Sequence, residues 1–275
     1  MAVLLQPASR ESLAEATKRL DAQIDTASAN DLERLGGDLF AVLHLVVAEP
    51  ALRRSLADPA APAAARSSLA DQLLNGKIGR PALDVVSDLV SARWSRSIDL
   101  AEALERLARN ATLAVAEKNN TLDDVEDQLF RFGRILDREP ELTTLLGDLN
   151  TPADKRVDLL RQLLGGKVSP VTATLLEQTV RAPRGRSLDL AAEELSELAA
   201  ARRDRYVAHV RTPIRLAPAQ EQRLSESLSS LYGRPISLQV ELDPDLLGGL
   251  VVRVGGELID GSVSGKLAAA RRKLS

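Results

Sequence analysis

The sequence contains no cysteine, and histidine occurs only at positions 44 and 209. No disulfide framework can form. Neither can a thiolate or imidazole cluster that would hold zinc, haem or an iron–sulfur centre, or supply a Cys/His nucleophile. Aromatic residues are nearly as scarce: one Trp, two Tyr and three Phe make up 2% of a chain that is 44% hydrophobic. Its cores must therefore be built from Leu, Val, Ile and Ala, a composition suited to helix packed on helix. There is no charge-free apolar run near the roughly 18 residues needed to span a bilayer; the best candidate lies between Leu39 and Ala48. The first ten residues, MAVLLQPASR, lack a basic stretch followed by a long apolar one, so no signal peptide is read. A cytosolic protein, or one attached from the cytosolic side, is expected. A strong excess of either charge is also missing: 36 basic against 39 acidic residues leave a formal net charge of −3. A surface of that kind does not track a phosphate backbone, which argues against nucleic acid as a partner.

What the 275 residues do contain is a repeat. At an offset of 90, residues 30–101 align with 120–191 without a gap, and 25 of the 72 positions are identical. Unrelated frames of so Leu- and Ala-rich a chain should agree at about one position in ten. The clearest matches are Glu49-Pro50-x-Leu52 with Glu139-Pro140-x-Leu142, Gln72-Leu73-Leu74-x-Gly76-Lys77 with Gln162-Leu163-Leu164-x-Gly166-Lys167, and Arg96-Ser97-Ile98-Asp99-Leu100 with Arg186-Ser187-Leu188-Asp189-Leu190. In each copy an apolar stripe at steps of three and four (Leu32, Leu35, Leu39, Val42, Val46; Leu122, Val125, Leu129, Phe132, Leu136) marks an amphipathic helix. Asn30 and Asn120 stand ahead of these stripes as expected N-caps, and Glu-Pro closes each helix. Shorter helices are expected from Ala63 to Leu74 and Ala153 to Leu164, ended by Asn75-Gly76 and Gly165-Gly166. Others run from Pro81 to about Trp94 and from Pro170 to Val180. Ser97 to Glu117 has neither Gly nor Pro and reads as one long helix shared by both copies.

After about Arg205 the period changes to two. Val207, His209 and Arg211 alternate with Ala208, Val210 and Thr212; Pro218–Leu231 is an amphipathic helix; Ile236, Leu238, Val240 and Leu242 share one face of a strand. Gly248-Gly249 leads to a second strand at Leu250, Val252 and Val254, the pair at 255–256 permits a tight turn, and Leu267 to Leu274 reads as a closing helix. The expected fold is mainly α: a helical bundle over 1–110, its second copy over 111–205, and a small α+β domain over 206–275.

Few residues invite chemistry. The run Gly261-Ser262-Val263-Ser264-Gly265-Lys266-Leu267 has three residues between its glycines and Leu after the Lys, so it is not a Walker loop. The acid pairs Asp123/Asp124 and Glu193/Glu194 are neighbours on helices and do not share a face. Nothing nearby orients His209, and Trp94, which has Arg184 opposite it in the repeat, reads as a packing residue. No catalytic, metal-binding or cofactor-binding residue is expected.

The string from Ile236 through Leu242, Asp243, Gly248, Gly249, Leu250 and Arg253 to Gly255, followed by Asp260, Ser262 and Leu267, resembles the signature of the delta subunit of F-type ATP synthases, the family of the mitochondrial oligomycin-sensitivity-conferring protein. The Arg-Ser-Ile/Leu-Asp-Leu boxes resemble that family's helical domain. The chain is about 90 residues longer than the usual member, an excess equal to the repeat period, and so is similar to the duplicated actinobacterial form. The resemblance implies a non-catalytic peripheral-stalk component of a proton-translocating synthase at the cytoplasmic face of the plasma membrane, reaching the membrane only through the complex. It implies two partners: the N-terminal helix of an alpha subunit, held in a groove between two helices, and the C-terminal ends of b-type stalk subunits, held by the C-terminal domain. The signature residues are expected to shape that domain. The helix carrying Leu13, Ala16, Leu20 and Ile24 completes copy one, so the groove for the alpha subunit is expected there, marked by Leu13, Leu20 and Ile24. A helical-repeat adaptor for some other amphipathic helix explains the duplication but not the signature.

Overall fold

A computed structural model of the chain describes residues 5–204, 207–232, 236–254 and 257–263. It separates into two compact units, Met1–Leu198 and Ala199–Ser275.

The helices α1 (Pro7–Thr26), α2 (Ala29–Ala48), α3 (Pro50–Leu56), α4 (Ala63–Leu74), α5 (Arg80–Ser91) and α6 (Ser97–Lys118) are followed by α7 (Leu122–Arg138), α8 (Pro140–Gly147), α9 (Ala153–Leu164), α10 (Pro170–Arg181) and α11 (Leu188–Asp204), the division between the units falling within α11. The offset of 90 carries α4 onto α9 and α5 onto α10 residue for residue. It also carries α1 into α6. The long helix read between Ser97 and Glu117 is therefore the last helix of copy one and stands where copy two needs its first. It packs on α1, α2, α3 and α5 and also on α7 and α10. A helix used on all sides must be buried all round, and 16 of its 22 residues are, including Glu105, Arg109 and Asn110. Close approach is allowed by Gly36 on α2, where a Cβ would lie 2.6 Å from the Thr112 hydroxyl.

Identical or related side chains do the same work in both copies. Arg66 and Arg156, each in the first turn of its helix and buried, donate to carbonyls at the end of the following helix: Ala92 O at 2.8 Å and Val180 O at 2.7 Å. These carbonyls have no partner within the helix, so a buried guanidinium there caps the end. Asp38 and Gln128 each accept the N–H that precedes α5 or α10, from Gly79 and Ser169, both at 2.8 Å.

The helix starts differ from the sequence reading. Ser28, not Asn30, caps α2, accepting from Asp31 N, and Asn120 adopts φ 55° in the turn between α6 and α7. Asn tolerates the left-handed region that this reversal needs. Glu49 and Glu139 do end α2 and α7, and the prolines after them open α3 and α8. The helix from Pro81 stops at Ser91, short of Trp94.

The second unit holds β1 (Val207–Thr212), α12 (Pro218–Tyr232), β2 (Ser237–Leu242), β3 (Val251–Val254) and β4 (Glu257–Asp260). The sheet order is β2-β1-β3-β4. β1 and β2 are parallel, as a crossover through α12 requires, while β3 pairs antiparallel with β1 and β4. Ala208, Val210, Leu228, Ile236, Val252 and Val254 form the core, with Leu238, Val240 and Leu250 packed against it. Leu242, expected on that inner face, is 54% exposed at the end of β2. β4 has no counterpart among the strands expected from the sequence: its four residues are all exposed, so it carries no apolar alternation to read. The closing helix expected from Leu267 to Leu274 lies outside the described residues.

Candidate functional site

Along copy one, α1 and α5 leave an open groove of about 1030 Å³ between them, with Ala8, Ser12, Ala16, Asp88 and Ser91 among its walls and Trp94 at one end. Its walls combine small residues with the charged Glu11, Glu15, Lys18, Arg19, Asp88 and Arg93. Ser12 Oγ donates to Arg93 O at 2.8 Å, and the buried Ser9 Oγ donates to Asp99 at 2.8 Å while accepting from Ser95 N at 2.9 Å. These bonds tie the first half of α1 to the chain joining α5 and α6 and to the first turn of α6. Arg19 reaches Asp88 across the groove at 2.8 Å. Trp94 is buried and donates its Nε1–H to Leu89 O at 2.7 Å, so the packing role read for it holds.

Of the three residues expected to mark the groove for the alpha subunit, Leu20 and Ile24 are fully buried and Leu13 is half-buried. Leu20 and Ile24 fasten α1 to its own bundle and offer a partner no surface. The wall of the groove is formed by the neighbouring small positions instead. An apolar stripe reports what a helix buries; of the stripe only Ala16 lines the groove.

The junction of the two copies contains a polar centre that the sequence reading did not find. Glu105 of α6 pairs with Arg109 one turn on, at 2.6 Å, and with Arg184 and Arg186 from the loop before α11. Arg184 also meets Glu102 at 2.7 Å, and Arg186 meets Glu194 at 2.9 Å. The side chains of Glu105, Arg109 and Arg184 are each 5–7% exposed. Burial by itself would raise the Glu105 pKa, but Arg109, Arg186 and Arg184 together hold it below the usual carboxylate value. Burial lowers the pKa of Arg109 against the pull of Glu105. Arg184, which replaces the Trp94 of copy one, also donates to Ala101 O at 3.3 Å.

In the C-terminal unit the structure brings Gly248, Gly249, Asp260 and Ser262 together. Gly249 has φ 79°, and a Cβ there would lie 2.4 Å from Gly261 O, so only glycine fits. Val263 N donates to Gly248 O at 3.0 Å, and Ser262 donates to Asp260 Oδ1 through both its N and its Oγ. Those two bonds, the hydroxyl first, hold the Asp260 pKa below the usual value. Asp243 stands apart from them, pairing with Arg211 at 3.1 Å and accepting from Asp245 N. Leu242 and Arg253 are exposed, and Gly255 lies outside the described residues. His209 sits on β1 opposite Arg253 and Gln239. Among the described residues there is no group of three or more His, Asp or Glu that could hold a metal ion.

Comparison with known proteins bears on both units. The model of the ATP synthase delta (OSCP) subunit family matches residues 105–274, from the middle of α6 onward. Over 98% of its length the chain is similar to the ATP synthase subunit delta of Streptomyces griseus, with 46% identity over 271 residues and all of that protein covered. It is similar to the same subunit of Parafrankia sp., with 48% identity over 279 residues, again covering 98% of this chain and 100% of that one. It is also 45% identical over 270 residues to the ATP synthase subunit b-delta of Mycobacterium sp. (strain KMS), covering 98% of this chain and 61% of that one.

Proposed function

The chain belongs to the ATP synthase delta (OSCP) subunit family, a non-catalytic subunit of the synthase, and from that premise we propose that it is the peripheral-stalk component that links the catalytic head to the stalk and resists rotor torque. The head contact is the N-terminal helix of an alpha subunit, lying in the groove between α1 and α5. The observation that carries this assignment is the groove itself: about 1030 Å³, walled in part by small residues that let a helix backbone come close and crossed by the Arg19–Asp88 ion pair. Helix-in-groove recognition needs no reactive side chain, which accords with the chemistry the sequence lacks.

The C-terminal unit takes the ends of the b-type stalk subunits. Its exposed apolar residues, Leu231, Leu242, Leu247 and Leu258 among them, supply surface that a partner would bury. That the Mycobacterium relative carries the joint name b-delta, with this chain spanning 61% of it, supports adjacency of the two functions. In this reading the protein is peripheral, on the cytoplasmic face of the plasma membrane, and touches the membrane only through the complex.

The test of the head contact is titration with a synthetic peptide of the N-terminal helix of the alpha subunit. Ser12→Trp sets a large side chain in the groove wall and should abolish binding while the far-UV circular dichroism is unchanged. Undiminished affinity in that variant would place the head contact elsewhere.

A further inference from the structure

The offset of 90 carries the walls of the groove between α1 and α5 onto α6, the end of α10 and the loop before α11, so the molecule contains a second version of its own groove. The two versions differ in what they leave open. Four wall positions of α1, Glu11, Glu15, Lys18 and Arg19, are exposed. Their counterparts on α6, Ala101, Glu105, Ala108 and Arg109, are all buried, none more than 6% exposed. A helix can lie along the first set of positions and finds no surface at the second.

The difference centres on one residue. Trp94, at the end of the copy-one groove, turns its Nε1–H back to Leu89 O of its own helix α5. Arg184, at the same position of copy two, reaches the other way onto α6, to Ala101 O at 3.3 Å, to Glu102 at 2.7 Å and to Glu105. Glu102 is itself the counterpart of the groove residue Ser12, so two wall residues of copy one are replaced together by an acid and a base that meet. Arg186 then joins Glu105 to Glu194, at 2.9 Å from the latter, in the part of α11 that belongs to the helical unit.

We propose that this ionic centre is a plug: it closes the copy-two version of the groove, and Arg184 in place of Trp decides that the duplicated chain takes one head helix, on copy one, and not two. This rests on the assignment of the α1–α5 groove to the head. The energetics favour the same choice. An entering helix would have to part Arg184, whose side chain is 6% exposed, from three acceptors and leave their charges buried and unpaired. In copy one it meets only the Arg19–Asp88 pair, 55% and 40% exposed, which can open into water at little cost.

The experiment is calorimetric titration of the intact chain with a synthetic peptide of the N-terminal helix of the alpha subunit, read for stoichiometry. One peptide per native chain is expected, and none in Ser12→Trp. Glu102→Ser with Arg184→Trp gives copy two the pair found in copy one and removes one charge of each sign; two peptides per chain are expected there. Two peptides per native chain overturn the plug whether or not the double variant folds, and leave the head reading in place. A double variant with native circular dichroism that still takes one peptide also overturns it. A single peptide whose binding survives Ser12→Trp overturns the copy-one assignment on which the plug rests, and no binding by the folded native chain overturns the head contact itself.

Discussion

Glu15–Arg19 and Glu105–Arg109 are the same i,i+4 pair at the offset of 90, placed in two environments. The first lies on the surface of α1 at 3.2 Å, with side chains 58% and 55% exposed; the second lies inside α6 at 2.6 Å, 5% and 7% exposed. An exposed pair of this spacing contributes about 0.3–0.5 kcal/mol. Removing one member of a buried pair strands its partner's charge and costs about 3–5 kcal/mol, and Glu105 is shared with Arg184 and Arg186 as well. Glu15→Gln should therefore be almost silent. Glu105→Gln should lower the folding equilibrium constant a hundredfold or more, at about 1.4 kcal/mol per factor of ten, out of a total stability of roughly 5–15 kcal/mol. Urea unfolding followed by circular dichroism and by Trp94 fluorescence measures both. The pH dependence supplies a second signature. Because the folded-state pKa of Glu105 is lowered, its stabilisation is complete above the unfolded carboxyl value and is lost as pH falls through the folded one. The acid limb of the stability curve should be shallower in Glu105→Gln. Equal costs for the two substitutions, or a cost under about 1 kcal/mol for Glu105→Gln, would refute the reasoning.

Trp94→Phe keeps the ring packing and removes the donor to Leu89 O; a loss of about 1–3 kcal/mol is expected from a buried carbonyl left unpaired, measured by urea unfolding. Gly249→Ala forces a Cβ against Gly261 O at a positive φ and should destabilise the C-terminal unit by more than about 1 kcal/mol, seen as selective loss of its amide protection in hydrogen exchange while the helical unit keeps its own. His44 has a lowered pKa in the folded state, from burial first and Arg181 second. The unfolded chain then binds the extra proton, so stability is full above the unfolded histidine value and declines as pH falls below it; His44→Gln should flatten the melting temperature between about pH 7 and 5.

The duplication, the helices and the βαβ core were legible in the sequence because each rests on periodic burial, and burial is what residue type encodes. The equivalence of α1 with α6 was not. Within that stretch only Glu15 and Arg19 recur, as Glu105 and Arg109, because α1 has one solvated side and α6 has none, so the two helices are under different constraints. The same difference hid the ionic centre: Arg184 stands where copy one has Trp94, and nothing in the local sequence says that a loop arginine will meet a helix glutamate 79 residues away. The site was legible only in outline. Leu20 and Ile24 mark the helix that walls the groove but are consumed by its core. The residues left over to meet a partner, such as Ala8 and Ser12, have no pattern of their own. In the C-terminal signature, backbone geometry restricts Gly249 to glycine and a local hydroxyl–carboxylate bond holds Asp260, whereas exposed Arg253, marked by the same resemblance, shows no such constraint.

A stator component must hold the head and the stalk at the same time. Calorimetric titration of the intact chain with the N-terminal peptide of the alpha subunit, and then of the saturated complex with a peptide from the C-terminal end of the b-type stalk protein, tests this most directly. Saturable binding of both, the second undiminished by the first, is the predicted result. Mutually exclusive binding, or binding of neither by a folded chain, would contradict it.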